Sequence, residues 1–271
     1  MILVNGVETE YIRADDRGLL YGDGLFETIA VQDSSPKLLQ QHMQRLKTSA
    51  TKLSIQGFDI ENICKDIKLI ISKSGLKEAI VRVTLTRGSG DRGYASLSTD
   101  ANVVISISPL PSSIMEKRST GVEVIFSKHF LHKEPSLAGI KHLNRLLQVL
   151  VANEAVAEGA DEALVFSEEG RIIEGGKSNV FFVFDKVIKT PRIEEYGVAG
   201  IVRQRIFDVA SKAGYRVVEA EINLDDLLDV DEVFLTNSVI GIWPISNLNG
   251  RQFVQQTCAN RLIKLLRDDL V

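Results

Sequence analysis

Apolar and polar residues in the first 110 positions follow two spacings, one typical of strands and one typical of helices. Residues 2–4 and 7–11 flank Asn5-Gly6, the dipeptide that favours a two-residue hairpin turn. The spacing that follows predicts five further elements, since periods of two and of 3.6 residues distinguish strands from helices. These are strands at 25–31, 79–86 and 102–108 and helices at 39–53 and 60–74, the last of which should end at Gly75.

Prolines and serines at positions 109–113 interrupt this pattern, which predicts a linker at 111–118 between domains at 1–110 and 119–271. The second domain mixes both spacings. We expect strands at 121–127, 162–166, 171–174, 180–184, 187–189, 215–222 and 232–235, helices at 142–158, 201–213 and 253–266, and an irregular segment after 127. Such an order favours an α+β protein of two mixed α/β domains over a regular doubly wound sheet.

Composition narrows the function classes. The 271 residues carry a formal net charge of -4, which provides no basic surface for nucleic acid and argues against such a partner. Apolar runs are too short to cross a membrane, and the first residues lack the features of a signal peptide. The 2 cysteines lie far apart, so we expect neither a disulfide framework nor a metal cluster. The cytoplasm is the expected compartment.

Lys141 is the first candidate for chemistry. It follows the apolar, glycine-containing run Leu137-Ala-Gly-Ile and precedes the predicted helix. An amine in such surroundings can be desolvated, which lowers its pKa and makes it a nucleophile toward aldehydes. On local grounds alone, a solvated lysine at the start of a helix explains the same pattern.

Three segments could hold a phosphate group. Gly200 opens a helix, where backbone amides attract anions. The run Thr236-Asn237-Ser238 ends a strand with short polar side chains, and Arg45 could offer a bidentate guanidinium. Each also has an ordinary structural explanation as a helix start, a turn or a surface residue.

Two further features suggest how a ring and a substrate could be recognised. Glu174 ends a strand before two glycines, and a carboxylate there could keep a pyridine nitrogen protonated. The loop from Arg87 to Tyr94 has three glycines but no helix after it, so it does not fit a nucleotide-phosphate loop. Its arginines and tyrosine better suit a carboxylate substrate. His129 and His132 lack companions at metal-ligand spacing, so no metal site is expected.

Taken together, these motifs resemble those of the fold-type IV pyridoxal-phosphate (PLP) enzymes, which include branched-chain and D-amino acid aminotransferases and aminodeoxychorismate lyases. The likeness covers nearly the whole chain and keeps the family's order. It runs through Asp16-Arg17-Gly18, Tyr21 to Glu27, His42 to Leu46, Arg87 to Tyr94, Lys141 with its helix, Asp161 to Leu164, Glu174 to Phe182 and Gly200 to Arg203.

The resemblance implies a role for individual residues. Lys141 matches the lysine that carries PLP, Glu174 the partner of the pyridine nitrogen and Arg45 the phosphate-binding arginine. Val202 replaces a threonine common in the aminotransferases, so only its backbone contact carries over. The remaining implied cofactor contacts are Ser178, Asn179, Gly200, Ile201, Val202, Asn237 and Ser238.

Within the family, the substrate loop favours one branch. D-amino acid aminotransferases have a tyrosine at the position of Phe26 and a histidine at that of Tyr94, both in their carboxylate trap. The runs around the loop and Lys141 instead resemble aminodeoxychorismate lyases, with Arg92, Tyr94 and Phe26 as the implied substrate contacts. That branch makes 4-aminobenzoate for folate biosynthesis. An aminotransferase for D-amino or branched-chain amino acids is the leading alternative, and a catalytically idle binding protein is a weaker one. The family also implies a homodimer.

Overall fold

The computed structural model describes residues 1–90, 93–95 and 100–270. The chain divides into two compact units: residues 1–110 with 140–144 form unit 1, and residues 111–139 with 145–270 form unit 2. The first segment of unit 1 ends at residue 110, and the stretch 111–118, predicted to be a linker, belongs to unit 2. The short segment 140–144, which carries Lys141, differs from the prediction, because it belongs to unit 1.

Unit 1 combines an antiparallel sheet, whose strands differ in length, with two long helices. In the described residues the sheet has six strands in the order β2-β1-β6-β5-β3-β4. The elements are β1 (Ile2–Val4), β2 (Val7–Glu8), α1 (Arg17–Tyr21), β3 (Gly24–Gln32), β4 (Ser35–Pro36), α2 (Leu39–Lys52), α3 (Ile60–Ser74), β5 (Ala79–Thr86) and β6 (Asn102–Pro109).

The local signals of unit 1 work as the sequence predicts. Asn5 and Gly6 have φ of 49° and 78°, so the predicted hairpin forms with the two positive φ values that its turn requires. Asp59 caps α3 by accepting a hydrogen bond from the Glu61 amide, and Gly75 ends that helix at φ 68°. The α1 helix was not predicted. It begins at Arg17, after the N-cap residue Asp16, whose carboxylate accepts from the Gly18 amide.

The core of unit 1 lies between the sheet and the helices α2 and α3. In β5, buried and more exposed residues alternate, and Val81, Val83 and Leu85 point into the core. They pack with residues of both helices such as Leu46 and Ile67. Burying these side chains contributes about 1.5–3 kcal/mol each and fixes β3, on which the candidate site is built.

Unit 2 contains one large mixed sheet and its covering helices. In the described residues nine strands join, in the order β12-β11-β10-β13-β14-β7-β8-β9 with β15 beside β14. The elements are α4 (Ser113–Thr120), β7 (Val122–Leu131), α5 (Leu146–Ala157), β8 (Glu162–Ser167), β9 (Ile172–Gly175), β10 (Asn179–Phe184), β11 (Val187–Pro191), α6 (Ile201–Val209), β12 (Arg216–Ala220), β13 (Glu232–Asn237), β14 (Gly241–Leu248), β15 (Arg251–Gln252) and α7 (Thr257–Leu265), with 3₁₀ turns at Ala210–Ala213 and Asp225–Asp229.

The main core of unit 2 lies where α6 and α7 cover the sheet. Phe181 and Phe234 stack in it with centroids 5.0 Å apart and interplanar angle 8°. Val202 of α6 and Leu262 of α7 are fully buried against them. This packing fixes the start of α6 relative to β10 and β13, the elements that carry the phosphate candidates.

Several predicted boundaries in unit 2 were wrong. The predicted linker contains α4, and the segment predicted to be irregular continues β7 to Leu131. The strand β14 was missed because Pro244 lies within it, and proline argues against a central strand. No helix in the described part of the chain has the length and apolar character needed to span a membrane.

Candidate active site

Lys141 is held beside the strand β3 of unit 1, which is next to the edge of its sheet. The Phe26 amide donates to the Lys141 carbonyl and the Leu143 amide donates to the Gly24 carbonyl, both at 3.0 Å. Residue 142 pairs with Leu25 in the same way, so the segment runs as an extra edge along the strand. The predicted helix start at 142 was therefore wrong. The helix begins at Leu146, after the backbone groups of 141–143 have been used by β3.

The side chain of Lys141 packs on an aromatic ring. Its Nζ atom lies 4.3 Å from the centroid of Phe26, and the guanidinium carbon of Arg82 lies 4.1 Å from the same centroid. A phenyl face attracts cations, at about 1 kcal/mol, and it offers no hydrogen bond. The ring thus gives the amine a defined position and leaves the amine's protons for other partners.

Arg45 belongs to a buried charge network with Glu27 of β3, which the sequence analysis missed. Its Nε atom donates to one Glu27 carboxylate oxygen at 2.8 Å, and its Nη2 atom donates to the other. The Nδ1 atom of His42 lies 2.6 Å from Glu27 as well. His42 and Arg45 are three residues apart and so share a face of α2. That spacing, opposite a strand carrying a lone glutamate, was the signal in the sequence.

The three groups fix one another's charges. Burial raises the pKa of the Glu27 carboxyl, but Arg45 and His42 outweigh it and lower that pKa to about 2. Burial also lowers the pKa of His42. The charges of Arg45 and Lys141 lower this pKa further, whereas Glu27 raises it. The pair Glu27⁻–Arg45⁺ is therefore ionised, and the His42 imidazole beside Glu27 is neutral. The guanidinium plane of Arg45 is fixed by a bidentate contact.

Glu174 lies in unit 2 at the end of β9, with its side chain 5% exposed. The Val198 amide donates to its Oε2 atom at 2.9 Å. A Cβ atom on Gly197 would lie 2.7 Å from the same oxygen, so the glycine there allows the close approach. A carboxylate has two oxygens that each accept more than one hydrogen bond, so Glu174 can accept from a protonated ring nitrogen as well as from Val198.

The same backbone segment links Glu174 to the start of α6. Asn179 donates from Nδ2 to the Val198 carbonyl at 2.9 Å. A Cβ atom on Gly200 would lie only 1.9 Å from Asn179 Oδ1, so any larger residue would displace that amide. The first amides of a helix, here those of Ile201 and Val202, have no intrahelical acceptor and point toward an anion. Because the Val202 side chain is buried in the core, only its backbone can serve.

The turn after β13 supplies the last group of candidates. Asn237 uses its side chain internally: Oδ1 accepts from the amides of Val239 and Ile240, and Nδ2 donates to the Lys177 carbonyl. Its side chain thus shapes the turn that presents Ser238. Thr236 is fully buried, and its Oγ1 atom has no hydrogen-bond partner among the described residues. In the sequence, Thr236 is visible only as the first residue of the polar run Thr236-Asn237-Ser238.

Ser178 contacts a second buried carboxyl. Its Oγ atom donates to Glu162 Oε2 at 3.2 Å, and Glu162 is 2% exposed. Burial raises the pKa of the Glu162 carboxyl, although the charge of Lys177 and the hydrogen bonds that Glu162 accepts oppose this increase. The sequence gives little signal for this contact, since Glu162 appears only as one residue of a strand.

Two of the three predicted substrate contacts, Phe26 and Tyr94, lie in unit 1. Phe26 contacts Lys141 as described, and Tyr94 is 89% exposed on its loop. Arg92 lies outside the described residues, so its role stays a prediction. The structure thus places Lys141, Arg45 and Phe26 around β3 and α2 of unit 1. Of unit 2, it brings together Glu174, Asn179 and Gly200 around Val198.

Comparisons with known proteins identify the family. Residues 24–248 match the family model described as amino-transferase class IV. A crystal structure of 4-amino-4-deoxychorismate lyase from Pseudomonas aeruginosa has a TM-score of 0.92 at 34% identity, covering 100% of this chain and 99% of that one. Aminodeoxychorismate lyase of Vibrio harveyi is 32% identical, covering 92% of each chain. A putative branched-chain-amino-acid aminotransferase of Methanocaldococcus jannaschii is also 32% identical, covering 87% of this chain and 82% of its own.

The donor set of unit 2 fits a phosphate ester attached to a pyridine ring. Gly200 leaves a space beside Asn179 that a Cβ atom would fill, and Thr236 Oγ1 is a buried oxygen with no partner among the residues that the structure describes. Glu174 offers a carboxylate whose position is fixed by Val198. This fit, the family model and the overall similarity to solved members lead to one conclusion: the chain is a fold-type IV enzyme of the amino-transferase class IV family, and its cofactor is pyridoxal phosphate.

Proposed function

We propose that this enzyme is a 4-amino-4-deoxychorismate lyase, which releases 4-aminobenzoate and pyruvate for folate biosynthesis. The names of two relatives at 32% and 34% identity over nearly the whole chain support the lyase branch. The observation that carries the proposal is the contact between Lys141 and Phe26. A phenyl ring at 4.3 Å from the amine has no hydroxyl, whereas the resemblance places a tyrosine there in D-amino acid aminotransferases.

Lys141 would move the protons of the reaction. Bound PLP draws electrons away from the substrate carbon that bears the amine. The neutral Nζ atom of Lys141 removes the proton from that carbon. The neighbouring carbon–oxygen bond to the enolpyruvyl group then breaks, and its departure completes the aromatic ring. The Lys141 ammonium returns a proton to the enolpyruvate carbon, which gives pyruvate and restores the amine.

The other residues bind and orient. Arg45, held by Glu27, would bind the cofactor phosphate together with the backbone of the α6 start and the turn after β13. Glu174 would hold the pyridine nitrogen in its protonated form. The implied contacts in full are Lys141, Arg45, Glu174, Ser178, Asn179, Gly200, Ile201, Val202, Asn237 and Ser238. Phe26, Arg92 and Tyr94 would contact the substrate.

The rival is an aminotransferase with the same cofactor, a function named for one of the relatives. A transaminase needs a keto acid to complete its cycle, and a lyase does not. The test incubates purified holoenzyme with aminodeoxychorismate, with and without 2-oxoglutarate. We expect 4-aminobenzoate and pyruvate at equal rates in both. Turnover of a D-amino or branched-chain amino acid that depends on the keto acid, with no 4-aminobenzoate, would favour the rival.

We also propose that the enzyme works as a homodimer in the cytoplasm. The helix α5 carries an exposed apolar stripe with Leu146, Val149, Leu150 and Val156, of which Leu146 and Val156 are 74% and 77% exposed. Positions three and four apart on a helix form one face, and a two-fold axis would pair such a face with itself. Light scattering of wild type and of Val149→Glu tests this. We expect a dimer of the 30.0 kDa chain and a monomer for the variant.

A further inference from the structure

The substrate loop of residues 87–94 is anchored at its first end by Asp23. Arg87 donates from Nε and Nη2 to the two Asp23 oxygens at 2.8 and 3.0 Å. It also donates from Nη1 to the Ser54 carbonyl and from Nη2 to the Leu53 carbonyl. The Arg87 amide donates to the Asp23 carbonyl at 3.1 Å. The first end of the loop is thus held by both backbone and side chain.

The second end of the loop is held by another residue, Arg17. Its Nη1 atom donates to the Gly93 carbonyl at 2.8 Å, and its Nη2 atom donates to the Tyr94 carbonyl at 2.6 Å. Its Nε atom donates to Asp23 at 3.0 Å, and its amide donates to the Gly88 carbonyl at 2.9 Å. Arg17 is 3% exposed, and each of its three guanidinium nitrogens donates to a partner.

A ring also joins Arg17 to the loop. The Tyr21 ring centroid lies 4.8 Å from the guanidinium carbon of Arg17 and 5.6 Å from the ring centroid of Tyr94. Tyr94 itself is 89% exposed. An exposed aromatic side chain on a glycine-rich loop would sample many positions, so the contacts of Arg17 restrict it. Such ordering before binding lowers the entropy lost when a ligand is bound.

The chemistry suits arginine and not lysine. A planar guanidinium can donate to two adjacent carbonyls and a carboxylate at once, whereas an ammonium is a compact donor on a flexible stem. Burial raises the pKa of the Asp23 carboxyl, but Arg87 and Arg17 together outweigh it and lower the pKa. The carboxylate stays ionised and compensates the buried guanidinium of Arg17.

We propose that Arg17 is a positioning residue for substrate specificity, because it holds the backbone at Gly93 and Tyr94 so that Tyr94 is presented to the carboxylate end of the substrate. The part that concerns the substrate rests on the proposed function. The anchoring itself does not. Arg17 touches neither the amine of Lys141 nor any described residue assigned to the cofactor, so its removal should affect recognition and leave the chemical step nearly intact.

The test compares Arg17→Gln and Arg17→Lys with Arg13→Gln, all as holoenzymes. Arg13→Gln is the control for loss of a guanidinium, since the Arg13 side chain is 75% exposed and pairs with Asp15 and not with the backbone at Gly93 and Tyr94 among the described residues. Folding of the variants is favoured because Asp23 keeps its bidentate contact with Arg87. Hydrogen exchange of the peptide covering 86–95 measures the anchoring, and steady-state kinetics with aminodeoxychorismate measure recognition.

For Arg17→Gln we expect faster exchange in 86–95, an increase in KM of about tenfold, or ~1.4 kcal/mol, and a kcat within about threefold of wild type. Arg17→Lys should recover part of the loss, and Arg13→Gln should match wild type. Unchanged exchange would overturn the anchoring. Faster exchange with an unchanged KM would overturn the positioning role. A decrease in kcat as large as the increase in KM, together with loss of bound cofactor, would overturn it as well.

A double-mutant cycle covers the case in which Arg17→Gln does not fold. Arg17→Lys and Tyr94→Ala are made separately and together. If Arg17 acts through the stretch at Tyr94, the combined increase in KM is smaller than the product of the separate increases. A simple product contradicts the proposal. Should the wild type make no 4-aminobenzoate, the proposed function fails by itself. The exchange measurement then still decides the anchoring, and KM is measured for the amino acid transaminated.

Discussion

The Nζ atom of Lys141 lies 4.3 Å from the centre of the Phe26 ring, and the backbone of the two residues is joined by a hydrogen bond of 3.0 Å. The lysine proposed to carry the chemistry is thus positioned by both the backbone and the side chain of one residue of β3. Since β3 pairs with β5 inside the sheet and its residues belong to the unit 1 core, this arrangement transfers the rigidity of that core to the amine.

The first prediction concerns the lysine itself. Lys141→Ala should lose at least ~10³-fold in kcat, because the proton-moving amine is absent, and should lose the visible absorbance of the lysine-bound cofactor. Absorbance spectra and turnover measure both. Lys128→Ala is the control, as that side chain is 76% exposed. Substantial activity in Lys141→Ala would contradict the assignment.

Phe26→Leu tests the ring separately. Leucine keeps the apolar volume but removes the aromatic face, so we expect cofactor binding to persist while kcat falls about fivefold, close to ~1 kcal/mol of lost cation–π attraction. Stopped-flow turnover and cofactor titration measure the two effects. An unchanged kcat would show that the ring acts as packing alone.

Gly200→Ala tests the start of α6, the segment proposed to bind the cofactor phosphate. The backbone at Gly200 has φ -66° and ψ 138°, which alanine adopts without strain, so only the new Cβ atom at 1.9 Å from Asn179 Oδ1 matters. We expect PLP affinity to fall at least ~tenfold, with little change in the melting temperature. Fluorescence titration of PLP into apoenzyme measures it. In an Asn179→Gly background the same substitution should cost less affinity, and an equal cost in both backgrounds would exclude the clash as its cause.

Glu27→Gln tests the buried network of unit 1. Removing one partner of a buried ion pair leaves Arg45 uncompensated, so the free energy of unfolding should fall by about 3 kcal/mol at pH 7. The lowered pKa of Glu27, about 2, means that its contribution is complete above the unfolded value of 4.5 and is lost as the pH falls toward 2. Urea unfolding at several pH values should show the difference from wild type shrinking over that range. A difference that does not depend on pH would contradict the assigned charge state.

Glu162→Gln should have the opposite pH dependence. Burial raises the pKa of Glu162, so the unfolded chain ionises first, and the wild type loses stability as the pH rises from 4.5 through the folded pKa. Glutamine keeps a hydrogen-bond partner for Ser178 but carries no charge. The free energy of unfolding of the Glu162→Gln variant, relative to wild type, should therefore increase with pH. The exposed neighbour Glu123, changed to glutamine, is the control. A constant difference across pH would mean that Glu162 is not strained by burial.

Much of the fold could be predicted because local signals acted alone. The Asn5-Gly6 turn, the cap at Asp59 and the stop at Gly75 each depend on a few residues, and all formed as expected. The start of α5 could not be predicted in this way. Its period extends back to 142, but β3 takes the backbone groups of 141–143, which is a tertiary effect invisible to periodicity.

The candidate site likewise contains residues that sequence motifs reveal and residues whose role depends on tertiary contacts. Lys141, Glu174 and Gly200 carry motifs that a sequence reveals. The supporting residues do not, because Glu27 holds Arg45 and Arg17 holds the loop at Gly93, partners that lie 18 and 76 positions away. Arg17 was visible in the sequence as part of a motif. Its contact with the substrate loop required the folded backbone of unit 1.

The most direct measurement of the central claim is the product ratio over many turnovers in the absence of any keto acid. Holoenzyme is incubated with excess aminodeoxychorismate, and 4-aminobenzoate, pyruvate and cofactor absorbance are followed together. The account predicts equal amounts of both products, far exceeding the enzyme, with the lysine-bound cofactor retained and with no product from Lys141→Ala. A single turnover that stops with the cofactor converted to its amine form, and resumes only when a keto acid is added, would contradict it.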